Sequence, residues 1–225
     1  MISKLLDRLE ARYGRHRGIR NLMNIIVIGT VCVYVADYIL PFIADGATMS
    51  SFLWFSKNRI MEGQIWRLFT FVFVPERSVN LLMLAIGLYF DWLMGDMLQN
   101  YWGTLRFTVF YTAGMLGAVI AGIITGYATA YYLNMSLMLA MACIHPEMQL
   151  RLYGMLNLKL KWIAMLSLLG MLLPMLHTTS WREPLALVAS LLNVILFFSD
   201  KLIGMIRNKW RHYQWKRNWR NSWKR

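Results

Sequence analysis

Acidic side chains are scarce in this chain. Its 225 residues hold 11 Asp and Glu against 24 Lys and Arg, and only 16% of positions are charged. With 58% hydrophobic residues and a mean hydropathy of +0.42, too little polar surface exists to coat a water-soluble globule, so the lipid bilayer is the expected solvent. Cysteine is nearly absent: Cys32 and Cys143 each lie in an apolar run, which argues against a disulfide framework and a Cys-rich metal site. No metal or other cofactor is expected. Histidine is also rare, with 4 copies.

What is abundant fits a membrane. Seventeen Met, ten Trp and eleven Tyr suit helices that pack irregularly in lipid and anchor at its edges. A spanning helix needs about 20 apolar residues, because backbone polar groups in hydrocarbon must be satisfied within the segment. Six segments approach this: Asn21–Phe42, Asn80–Leu98, Thr104–Thr125, Ala130–His145, Trp162–Leu176 and Pro184–Ser199. Six spans with both termini cytoplasmic leave only Lys57, Arg59, Arg67, Arg77 and Arg182 of the 24 basic residues outside, the asymmetry expected when basic residues resist translocation.

The two ends differ from the middle. Residues 1–19 predict an amphipathic cytoplasmic helix, with Ile2, Leu5, Leu6, Leu9 and Tyr13 opposite Lys4, Arg8 and Arg12. No small-residue cleavage pattern follows, so this segment is expected to be retained. It suits either a helix lying on the inner leaflet or a solvated leader that helps set topology. Residues 203–225 form a basic tail without acidic residues, interleaved with Trp210, Trp215, Trp219 and Trp223. Tethered beside a bilayer, such a tail is suited to anionic lipid headgroups ahead of nucleic acid, which the same charge and rings would also attract. Residues 20–202 make the membrane domain between them.

Ala44 to Val79 is too apolar for a loop in water: Phe52, Leu53, Trp54, Phe55, Trp66, Leu68, Phe69, Phe71 and Phe73 fall within it, so it is expected to be half-buried. An interfacial helix pair anchored by Trp54 and Trp66 would also account for it. In the third span Ala118, Gly122 and Gly126 recur every fourth residue, with Gly114 and Gly117 a turn earlier, a pattern that lets another helix approach closely.

Gly63, Trp66, Arg67 and Pro75, then Gly103, Arg106, Phe107, Tyr111, Gly114 and Gly117, resemble the rhomboid and Derlin superfamily, and Pro146 after the fourth span extends the likeness. The resemblance implies an all-α integral membrane fold, a rhomboid-like bundle of six transmembrane helices with a half-buried first loop, here of a bacterial type in a plasma membrane. The chemistry departs from that pattern. Active rhomboids carry a serine in a glycine turn opening the fourth span, where this chain has Tyr131; the span's serine, Ser136, is flanked by Met135 and Leu137. Where the sixth span would carry a histidine and two glycines stand Ala186, Ala189 and Asn193, and where the second would carry a histidine and an asparagine stand Met83 and Gly87. His177 is the remaining exterior candidate for a general base.

A polar layer remains. Asp91, Ser136 and Asn193 each fall about 12 to 14 Å from the cytoplasmic boundary by helical rise, with Tyr111, Thr112 and Asn134 in the same set. An ionisable residue at such depth should face the bundle and find donors, or stay protonated. Asp37, nearer the exterior end, is expected to reach headgroups. The layer suits either a clasp among helices or a site for a client helix, ion or proton. The resemblance and the missing dyad favour a pseudoprotease that binds or remodels transmembrane clients through a lateral groove, between the second and fifth helices, and through local bilayer thinning. Alternatives are an atypical intramembrane serine protease using Ser136 and His177, and an ion- or proton-translocating protein using Asp91.

Overall fold

The computed structural model describes residues 7–8, 10–12, 14, 18–43, 48–75, 80–152, 156–175, 188, 192–195 and 197. The first long helix is α1 (Leu22–Ile43). Three short helices follow, α2 (Met49–Leu53), α3 (Lys57–Met61) and α4 (Arg67–Thr70), and a 3-10 turn covers Phe71–Phe73. Then come α5 (Leu81–Trp102), α6 (Thr104–Thr125), α7 (Ala130–Ile144), an antiparallel hairpin of β1 (Gln149–Leu152) and β2 (Leu156–Lys159), and α8 (Leu160–Met175).

Helices α1, α5 and α6, of 22 residues each, are long and apolar enough to cross a membrane. Each is about 33 Å long, enough for a hydrocarbon core of about 30 Å. Helices α7 and α8 are apolar but shorter, at 15 and 16 residues. Ile25, Ile28, Leu81, Leu82, Leu116 and Ile120 point outward, the apolar exterior that lipid requires. Inside, Leu98, Phe107, Phe110, Leu137 and Ala140 are wholly buried where α5, α6 and α7 meet.

The turns explain the topology. Gly103 alone joins α5 to α6 at φ +90°, a backbone conformation that a side chain would strain, and folds the two helices into a hairpin. Gly126 at φ +82° ends α6 with its N–H on the Gly122 carbonyl at 2.7 Å. Gly126 is therefore a helix stop, and a Cβ there would meet nothing, so it does not extend the close-packing stripe. Gly114 does belong to it. A Cβ at Gly114 would lie 2.5 Å from Leu133 of α7 and 2.7 Å from the Asn193 amide.

The first connection is built around Arg67, which is 0% exposed. Its Nε donates to Gln64 Oε1 at 2.7 Å, and Nη1 donates to the carbonyls of Ser51 at 3.1 Å and Trp54 at 2.8 Å. Thr70 Oγ1 donates to the Leu53 carbonyl at 3.0 Å, and Trp66 Nε1 to that of Phe52 at 3.3 Å. The loop carries its own polar interior and turns Phe55, Phe71 and Val72 inward, while Phe52, Trp54, Ile65, Trp66 and Phe69 remain exposed on its outer side. Phe55 is buried, edge-on to Phe71 and against Gly122 of α6. Asp37 of α1 accepts from the backbone N–H of Ser50 at 2.7 Å and from the Ser50 hydroxyl. It caps α2 instead of reaching for headgroups, because the short connection brings an unsatisfied helix N-terminus within its grasp.

Other expectations shift by a few residues. The second span continues past Leu98 to Trp102, its polar end stabilised by Asn100 Nδ2 donating to Asp96 at 3.0 Å. Alternation from Leu158 to Trp162 predicts extended chain, but the strand stops at Lys159 and helix begins at Leu160. The hairpin pairs Gln149 with Lys159 and Leu152 with Leu156, and it departs from an otherwise helical architecture. Residues 10–12 are helical, Glu10 and Asp7 bind Arg106 of α6 at 2.7 and 2.6 Å, and the Ile19 N–H donates to Thr108 at 3.1 Å. Ile2, Leu5, Leu6, Leu9, Tyr13, His177, Ala186, Ala189 and the tail 203–225 with its four tryptophans lie outside the described residues, as does most of the expected sixth span.

Candidate functional site

A cavity of about 230 Å³ opens between α1, α5 and α7 and is bounded by the end of the first connection at Val72, Val74 and Pro75. Helical spacing on α5 sets its wall. Met83, Gly87 and Asp91 recur every fourth residue and so share one face, with Gly87 contributing no side chain to fill the space. Thr30 of α1 and Asn134, Met135 and Met138 of α7 face them. The lining is mostly apolar, and methionine gives it an adaptable surface. This is not the gap between the second and fifth helices that the sequence suggests for a client.

Asp91 and Asn134 are the polar pair of the cavity. Asn134 Nδ2 donates to Asp91 Oδ2 at 2.7 Å, joining α5 to α7, while Asn134 Oδ1 is buried without a hydrogen-bond partner among the described residues. The expected polar layer is thus divided by α7. Ser136 and Asn193 line a second void of about 10 Å³ beside Gly114, about the least that one water needs. Ser136 Oγ donates to the Leu133 carbonyl at 2.6 Å, Asn193 Nδ2 to the Phe110 carbonyl at 3.3 Å, and Thr112 Oγ1 to the Thr108 carbonyl at 2.8 Å. The Tyr111 hydroxyl is buried and has no partner among the described residues.

The geometry bears on nucleophilic chemistry. Ser136 is 0% exposed and its hydroxyl is engaged within its own helix. His145, at the C-terminal end of α7, packs edge-on to Tyr101 with ring centroids 5.1 Å apart. It stands about 13 Å along the helix from Ser136, too far for proton abstraction. Among the described residues no group of three His, Cys, Asp or Glu side chains is placed to hold a metal ion. Of the positions on which the resemblance rests, Gly63 turns the chain at φ +99° after α3, Trp66 and Arg67 hydrogen-bond within the first connection, Gly103 makes the α5–α6 turn, and Pro146 precedes the hairpin, its carbonyl accepting from the Lys161 N–H at 3.3 Å.

The sequence groups Asn134 with Asp91 in one polar set but names neither of two specific pairings. The partner of Asp91 is Asn134, two residues from Ser136 and hence on another face of α7. Trp92 Nε1 donates to Asn24 Oδ1 at 2.6 Å, a polar link between α5 and α1. The available signal was the rarity of amides in apolar segments, since a polar residue there must find a partner.

The family described as "Eukaryotic integral membrane protein (DUF1751)" matches residues 24–194, from within α1 through Val194 and well over half of the chain. The chain belongs to this family. The matched stretch of this integral membrane protein contains α1 from Asn24 onward, the other two long apolar helices, the shorter α7 and α8, the first connection and, apart from Met23, the residues lining both voids. The family's eukaryotic description corrects the expected bacterial type; hydropathy and basic-residue asymmetry report on the bilayer and do not identify the host. No curated protein matches the chain.

Proposed function

We propose that this chain is a rhomboid-like pseudoprotease that binds or remodels transmembrane client proteins, using a lateral groove and local thinning of the bilayer. The observation that carries this reading is the cavity between α1, α5 and α7, apolar, methionine-lined and large enough for side chains of another helix. Two further features support it. Helix α7, at 15 residues, spans about 23 Å, short of a typical hydrocarbon core, and a bilayer meeting it would thin. Ser136 is buried and bonded to its own helix, which favours binding over hydrolysis. In this reading six helices cross the membrane, both termini face the cytoplasm, and the basic tail rests on anionic lipid.

The test is photocrosslinking in phosphatidylcholine proteoliposomes containing a leucine-rich single-span peptide. A photoreactive residue is placed at Met83, which lines the cavity and is 58% exposed, or at Leu116 on the outer side of α6, which is 57% exposed. Capture of the peptide several-fold more efficiently from position 83 is the expected result. Equal capture from both positions would remove the groove.

A further inference from the structure

The cavity carries more than a greasy wall, and its polar content selects among occupants. We infer that the Asp91–Asn134 pair recognises transmembrane segments bearing a lysine near the middle of their span; this rests on the groove reading above.

Hydrogen-bonding capacity at the pair calls for a donor. Asn134 gives one amide N–H to Asp91 Oδ2 at 2.7 Å, and its own carbonyl oxygen is left buried and unpartnered among the described residues. A carboxylate beside an orphaned carbonyl is an acceptor-rich site, so its complement is a donor. A buried acceptor without a partner is costly to maintain, which makes its satisfaction a source of binding selectivity. Lysine has three donors and no acceptor, and can serve Asp91 and Asn134 together.

Depth sets where that donor comes from. Asp91 is at the midpoint of α5, about 15 Å along the axis from either end. That is close to the centre of the hydrocarbon, out of reach of a lipid headgroup amine but level with the middle of another helix. A client with a cation at that level is poorly solvated by lipid, so a carboxylate in an open groove offers it the better environment. Gly87, one turn from Asp91 on the same face, leaves the approach open, and the flexible side chains of Met83, Met135 and Met138 can rearrange around an incoming helix.

The experiment uses the full chain in phosphatidylcholine proteoliposomes with 23-residue leucine-rich peptides carrying Lys or Leu at the central position, and capture is measured by energy transfer. The expected result is about threefold to tenfold stronger capture of the Lys peptide, the size of an interhelical polar contact in a membrane. In Asp91→Asn that ratio should fall to about one. Because loss of the Asp91–Asn134 bond can also perturb folding, the wild-type protein is tested as well with the lysine moved two turns toward either end of the peptide, which should lower the preference. Equal capture of central-Lys and Leu peptides, or a preference indifferent to lysine position, would overturn this inference while leaving the groove intact. Capture of neither peptide would remove the groove reading and this inference with it.

Discussion

Arg67 Nη1 donates to the carbonyl of Trp54 across 2.8 Å, connecting α4 to the end of α2 through the interior of the first connection. The same nitrogen takes the Ser51 carbonyl, so one guanidinium organises backbone on two sides of a turn.

Replacing Arg67 by Lys is therefore expected to be a damaging change. A compact ammonium cannot reproduce the planar fork that reaches Gln64, Ser51 and Trp54 together. The Lys variant should lose on the order of 2 kcal/mol, the cost of leaving a buried acceptor unsatisfied, and an Ala variant more. Thermal unfolding in detergent, followed by size-exclusion fluorescence, measures this, and limited proteolysis should cut first between residues 48 and 75. An unchanged midpoint in the Lys variant would show that the carbonyls find other donors.

Acid should loosen the hairpin. Glu147 hydrogen-bonds to Lys159, at 2.7 Å, and to Lys161, and these contacts lower its pKa from 4.5 to about 2. A carboxyl held below its unfolded value stabilises the fold fully above about pH 4.5, and that contribution drains away as pH falls toward 2. All three side chains are substantially exposed, so the effect is modest. The protection of amides 149–159 against exchange, taken relative to the unstructured rate at each pH, should fall through this window in the native chain. In Glu147→Gln that protection should already be lower at neutral pH and change little with acid.

Serine-directed labelling addresses the enzymatic alternative. With Ser136 buried and its hydroxyl given to the Leu133 carbonyl, a fluorophosphonate probe should leave the detergent-solubilised protein unmodified under conditions that label an active serine hydrolase. Labelling that disappears in Ser136→Ala would restore the nucleophile.

Long apolar runs were the most legible part of this chain. The third span keeps its expected bounds, Thr104–Thr125, because lipid allows only helix there and glycine marks both ends. What was hidden depends on pairing across space. Arg67 seeks carbonyls 13 and 16 residues away, a choice set by how α2 and α4 pack and invisible to local pattern. Gly126 fits a four-residue stripe, yet its positive φ makes it a helix stop, and periodicity alone does not distinguish the two roles. The depth of Asp91 could be counted from sequence, while its partner depended on the rotation of α7, which hydropathy does not fix because that helix is apolar nearly all round.

The clasp between Asp37 and Ser50 gives the bundle a mechanical linkage. The connection that starts at this clasp runs on to Val74 and Pro75 at the rim of the cavity, and α1 supplies another side of the same opening through Thr30. Any tilt of α1 would therefore drag the rim with it, so the aperture widens or narrows as a coupled frame.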